Sequence, residues 1–200
     1  MRETADTITI LTEQHRELQG ELEQVQSLPT GDPRRRSGLK GAAVALVCHS
    51  TAVRLLYGIT RWRVPGGDRP ARPGVMDLVR AEETMKDLEF TDDDSGEFDP
   101  LLRRLIIRVR RHIDQAETIV YPRLHQELPP DLREDLAYEL RRIEADATAV
   151  REMVERWARR DVIDRVRVIL AERYADRRAG IGEPAGLVDI SADEREWSGI

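Results

Sequence analysis

The sequence predicts an all-α fold, an up-down-up-down four-helix bundle with one or two extra C-terminal helices. Three observations predict it. The 200 residues are 40% hydrophobic and 35% charged but only 4% aromatic, which suits a helical protein rich in Leu, Val, Ala, Arg and Glu and disfavours a large β-sandwich. Proline and glycine gather at Pro29 to Pro33, Val64 to Pro73, Thr91 to Pro100 and the pair Pro129-Pro130, and these breakers leave helix-length pieces between them. Within the pieces, apolar residues recur at alternating steps of three and four, the signature of a helix with one buried face.

The first helix, about Asp6 to Leu28, carries the stripe Ile8, Leu11, His15, Leu18, Leu22 and Val25. The second, about Ser37 to Arg61, carries Leu39, Ala42, Leu46, His49, Val53 and Leu56. The third is shorter, about Gly74 to Glu89, with Val75, Leu78, Val79, Glu82 and Met85 on its apolar side. The fourth, about Pro100 to Leu128, carries Leu102, Leu105, Val109, His112, Ala116 and Ile119. Beyond Pro130 a fifth helix reads Leu136, Leu140, Ile143, Ala147, Val150, Val154 and Trp157, and a sixth runs from Asp161 to about Arg178. The expected organisation is therefore a bundle over residues 1–128, additional helices packed on it over 129–178, and a flexible tail over 179–200 in which Trp197 is the docking candidate.

Charge and composition narrow the function. The formal net charge of −6 disfavours binding to phosphate backbones, so nucleic acid is not an expected partner. No apolar run approaches the roughly 18 residues of a membrane span, and Met1 to Leu11 lacks the basic start and apolar middle of a signal peptide. A single cysteine, Cys48, excludes an internal disulfide framework and reads as a small buried hydrophobe. No membrane association and a cytoplasmic location are the expectation. Only two of the 32 basic residues are lysine, a bias that suits a GC-rich bacterial genome, and Arg34, Arg35 and Arg36 read as a solvated loop. The chain shows no phosphate cradle and no nucleophile-base pair, so no enzymatic activity is indicated.

The informative residues are histidines. Three of the four, His15, His49 and His112, occupy stripe positions that otherwise hold Leu, Val or Ile, each on a different helix. Counted from the same end of the bundle, each lies twelve or thirteen residues along its helix, a rise of about 18 to 20 Å. Three imidazoles thus converge at one depth, as in metal sites built inside bundles. Glu82, on the apolar side of helix three near its middle, is the carboxylate that could join them, the alternative being a place at the edge of the stripe facing solvent or an arginine. His125 lies about 20 Å beyond His112 and reads as a surface residue.

With these residues in place, the chain resembles the hemerythrin-like (HHE cation-binding) family over about Asp6 to Leu128. DTITILTEQHREL resembles its first histidine helix, HIDQAETIVYPRL its closing motif with the aromatic-proline pair Tyr121-Pro122, and AEETMKDLE followed by EFDPLLRRL the stretch between. The resemblance implies a bundle holding two iron atoms through histidines and bridging carboxylates, used to bind or sense oxygen, nitric oxide or iron. It also implies a carboxylate four residues after a ligand histidine, on the same helix face. Val53 stands at that place after His49 and Ala116 after His112, and Glu117, five residues on, is about 140° off the face of a regular helix. The histidine implied on helix three is replaced by Thr84, or by Glu83 one residue out of register. Three neutral imidazoles leave the charge of iron uncompensated in an apolar core, so the expectation is no metal or a weakly bound one.

Three readings follow. The first is a bundle with a decayed di-iron site, kept as a binding or sensing module. The second is a working iron-binding sensor of oxygen or nitric oxide, or a redox protein, completed by Glu82 or Glu83. The third is a metal-free scaffold whose added helices cover a protein partner.

Overall fold

The computed structural model describes residues 6–63, 68–157 and 161–181, and every regular element among them is helical. The chain runs α1 (Thr7–Ser27), α2 (Arg34–Arg63), α3 (Asp68–Phe90), α4 (Phe98–Gln115), a π-helical turn (Ala116–Val120), α5 (Tyr121–Glu127), α6 (Pro130–Val154) and α7 (Val162–Ile181). Around the bundle α1 packs on α2, α2 on α3, α3 on α4, and α4 back on α1, with the π turn and α5 continuing the fourth helix. The helices α6 and α7 lie against α2, and α6 also meets α1 while α7 meets α3.

This arrangement surrounds α2. Every residue from Gly41 to Ser50 is buried, on both faces of the helix, because α1 and α3 cover one side and α6 and α7 the other. Gly41, Ala42, Ala43 and Ala45 keep the helix slim enough for four neighbours to approach. Arg34–Gly58 is therefore the one stretch among the described residues long and apolar enough to cross a membrane, and 78% of its most apolar window is buried inside the protein. The sequence pattern understates this stretch because a one-sided stripe does not register small residues on the opposite face. Cys48 is buried within it, and burial pushes its thiol well above the ordinary range.

Three departures from the expected elements matter. The arginine run is not a loop: it opens α2, and Arg35 is among the most buried side chains, paired with Asp99, donating to the Asp93 carbonyl at 3.3 Å and lying over the Phe98 ring at 4.3 Å. Partners from the loop before α4 and from the first turn of α4 desolvate what composition alone assigns to water. Second, α3 starts at Asp68 and runs through Pro73, so the proline-rich stretch read as a loop contributes most of two turns. Pro70 falls among the first N–H groups of the helix, which have no internal partner, while Pro73 lies inside it and gives up one hydrogen bond of the second turn. Third, Ile119 is 54% exposed and Tyr121 takes its place in the core at 4%, because the π turn adds a residue to the circuit. Trp197 and the chain beyond residue 181 lie outside the described residues.

Candidate metal centre

The stripes place His15 on α1, His49 on α2 and His112 on α4 facing one another in the core, exposed by 1%, 0% and 3%. Their rings meet edge to face, with centroids 4.6 Å apart for His15 and His49, 5.4 Å for His15 and His112, and 5.1 Å for His49 and His112. One nitrogen from each ring falls within 4.8 Å of the other two, the spacing of a group that could hold a metal ion. Equal rises along antiparallel helices suffice to bring them together.

Each ring is held from behind through Nδ1. His112 Nδ1 lies 2.9 Å from the Gly74 carbonyl, an acceptor only, so this nitrogen carries the hydrogen. His49 Nδ1 lies 3.1 Å from Gln14 Oε1, and the amide is oriented by its own Nε2, which donates to Glu144 Oε1 at 3.1 Å. His15 Nδ1 donates to Glu117 Oε1 at 2.8 Å, while its Nε2 accepts from the Tyr121 hydroxyl at 3.1 Å. The hydrogens thus point outward, leaving the Nε2 lone pairs of His49 and His112 turned inward and that of His15 on the Tyr121 hydroxyl. His49 Nε2 and His112 Nε2 face each other at 2.9 Å, and in these tautomers neither has a hydrogen to offer. A cation that accepts both lone pairs satisfies that arrangement, and outward Nδ1–H groups on a carboxylate, an amide oxygen and a carbonyl are the usual support of metal-bound imidazoles.

Burial keeps the rings neutral. It lowers His15 to about 3 and His112 to about 4, the latter against the opposing pull of the Gly74 carbonyl and Asp77. It also holds His49 well below the ordinary range, helped by its two neighbouring rings. Burial pushes the Tyr121 phenol far up, so the hydroxyl keeps its proton.

Glu117 corrects the sequence reading. On a regular helix it would stand off the His112 face, but the Tyr121 N–H reaches back five residues to the Ala116 carbonyl, and the extra residue per turn carries Glu117 to His15. The fourth helix thus does bring a carboxylate to the centre, but behind His15 on its outward Nδ1 and not among the inward nitrogens. The step from Ala116 to Tyr121 and Leu124 on the buried face, in place of Ile119, was the signal in the sequence. After His49 no such change occurs, and Val53 presents an apolar side chain on the histidine face.

Glu82 is not brought to the histidines. It is buried at 1% and pairs with Arg54 at 3.3 Å and with Arg167, joining α2, α3 and α7. Because α3 begins early, the residue of α3 beside His112 is Gly74, about 12 Å along the helix from Glu82. Thr84 and Glu83 are displaced with it. Gly74 also makes room: a Cβ there would sit 3.2 Å from His112 Nδ1. His125 is exposed, as expected, with its Nδ1 3.8 Å from Asp6.

No curated protein and no solved structure matches this chain. A family model, the hemerythrin HHE cation binding domain, matches residues 6–124, a span that holds all three histidines, Glu117 and Tyr121 and ends before α6. The chain belongs to the hemerythrin HHE cation-binding domain family.

Proposed function

We propose that this protein binds one divalent transition-metal ion through the Nε2 atoms of His15, His49 and His112, and acts as a binding or sensing module. The observation that carries this reading is the grouping of the three buried imidazoles, each with Nδ1 held from outside, His49 and His112 turning Nε2 to each other at 2.9 Å and one nitrogen of His15 within 4.8 Å of theirs. Glu117 on His15 supplies one negative charge beside the site, which offsets part of the cost of a buried dication. That carboxylate removes the main argument for a site too poor in charge to hold metal.

A single ion is proposed because the groups for a second are lacking. Val53 is apolar and Glu82 is engaged by two arginines. In this reading the centre is what remains of a two-metal site. Three imidazoles suit Zn(II), Co(II) or Fe(II), and three protein ligands leave a position for a small ligand such as nitric oxide. When bound, the ion supplies Lewis acidity or, for iron, a redox couple. The residues supply orientation and a dry apolar surround, and the Tyr121 hydroxyl, which donates to His15 Nε2 in the metal-free centre, turns away when that lone pair takes the ion. No catalytic role is proposed.

Cobalt(II) titrated into chelator-treated protein tests the proposal. The expected result is one ion per chain with visible absorption of a low-coordinate site, lost in His112→Leu. Two ions per chain, or undiminished binding in the folded variant, would overturn it.

A further inference from the structure

The helix α6 lies beyond the stretch matched by the family model, yet it reaches the histidine centre through one uninterrupted hydrogen-bond chain. Glu144 Oε1 accepts from Gln14 Nε2 at 3.1 Å, and Gln14 Oε1 accepts from His49 Nδ1 at 3.1 Å. Gln14 is 4% exposed and His49 fully buried, so water does not compete for either group. The other oxygen of Glu144 is held at 2.8 Å by Arg141, which also donates to Glu13 at 3.1 Å and so ties the carboxylate to the α1 surface.

We propose that Glu144 is a positioning residue that sets the tautomer of His49, and thereby couples the position of α6 to the competence of the metal centre. The reasoning rests on the metal reading above for its consequence but not for its first step. A glutamine amide offers oxygen on one side and NH₂ on the other. A carboxylate is acceptor only, so Glu144 obliges Gln14 to turn its NH₂ outward and its oxygen toward His49. His49 then carries its hydrogen on Nδ1 and turns a bare Nε2 to the centre.

Without the carboxylate the amide is free to turn over. Its NH₂ would then donate to His49 Nδ1, and the hydrogen would move to Nε2, where His112 Nε2 accepts it across 2.9 Å. That arrangement satisfies both rings with an internal hydrogen bond and closes the site to metal. The centre thus has two self-consistent hydrogen-bond arrangements, one open and one closed, and Glu144 selects the open one. Displacement of α6 by a partner or a shift of Arg141 would release it.

The test is the His49 tautomer in the chelator-treated protein, read from the pattern of long-range proton–nitrogen couplings in an ¹⁵N-labelled sample. The parent is expected to show Nδ1–H, Glu144→Leu to show Nε2–H, and zinc affinity to fall by about 10- to 100-fold in that variant. The exchanged pair Gln14→Glu with Glu144→Gln keeps an acceptor beside His49 and is expected to restore Nδ1–H. Nδ1–H retained in folded Glu144→Leu, or Nε2–H in the exchanged pair, overturns the proposal. Failure of the parent to bind zinc while the tautomers follow this order would refute the metal reading alone.

Discussion

Acidification of the metal-free protein should destabilise it, and the size of the effect follows from the buried rings. His15, His49 and His112 all have their pKa lowered, to about 3 and about 4 for the first and last, against an ordinary value near 6.5. The folded centre therefore takes up no protons in the range where the unfolded chain takes up three. Stability is fully present above about pH 6.5 and is lost as pH falls through that value toward the folded pKa values. Between about pH 7 and about pH 5.5 each histidine withdraws about 1.3 kcal/mol, close to 4 kcal/mol for the trio. Glu89 opposes this. Its carboxylate accepts the Ile163 N–H at 2.8 Å at the start of α7, and burial raises it to about 7 from 4.5. A raised carboxyl protonates in the folded state first, so over the same interval it returns about 1.5 kcal/mol. The net loss is about 2 kcal/mol, to be measured as urea-unfolding free energies at the two pH values. Glu89→Gln should expose the full loss of about 4 kcal/mol, and the variant with all three histidines changed to leucine should abolish it. Equal acid sensitivity in the parent and the triple leucine variant would refute the picture of three jointly buried neutral imidazoles.

Three further outcomes separate the roles assigned to individual residues. Gly74→Ala should leave stability within about 1 kcal/mol, helix propensity offsetting a tight contact, yet weaken cobalt binding about tenfold, because its Cβ lies 3.2 Å from His112 Nδ1 and displaces the ring. Glu82→Leu should cost about 2 kcal/mol in urea unfolding while leaving cobalt stoichiometry unchanged, because it removes the buried carboxylate that Arg54 and Arg167 share, Arg167 keeping Asp164, and touches no histidine. Loss of cobalt binding there would return Glu82 to the centre. Arg35→Ala should destabilise by about 3 kcal/mol through lost packing on Phe98, and Arg35→Met should recover most of that, as judged by thermal melts.

Periodicity and counting placed His15, His49 and His112 at one depth, because helices have a fixed rise and a stripe must face its neighbours. Those two regularities hold whatever the rest of the chain does, so the bundle and its histidine trio were legible before any coordinates. Other members of the site depend on deviations from regular geometry. Glu117 reaches His15 only because a π turn inserts one residue, and Gly74 stands beside His112 only because α3 begins before its prolines. Glu82 could be read from its stripe as a ligand or as the partner of an arginine, and the choice falls to Arg54 of α2 and Arg167 of α7, which a one-helix pattern does not contain. Gln14 and Glu144 lie 130 residues apart in the chain. The sequence by itself determined which helices form and which residues share a level along them. Only the tertiary structure decided which donors and acceptors meet across helices, because hydrogen bonds are fixed by distances of a few tenths of an ångström, far finer than the spacing of an apolar stripe.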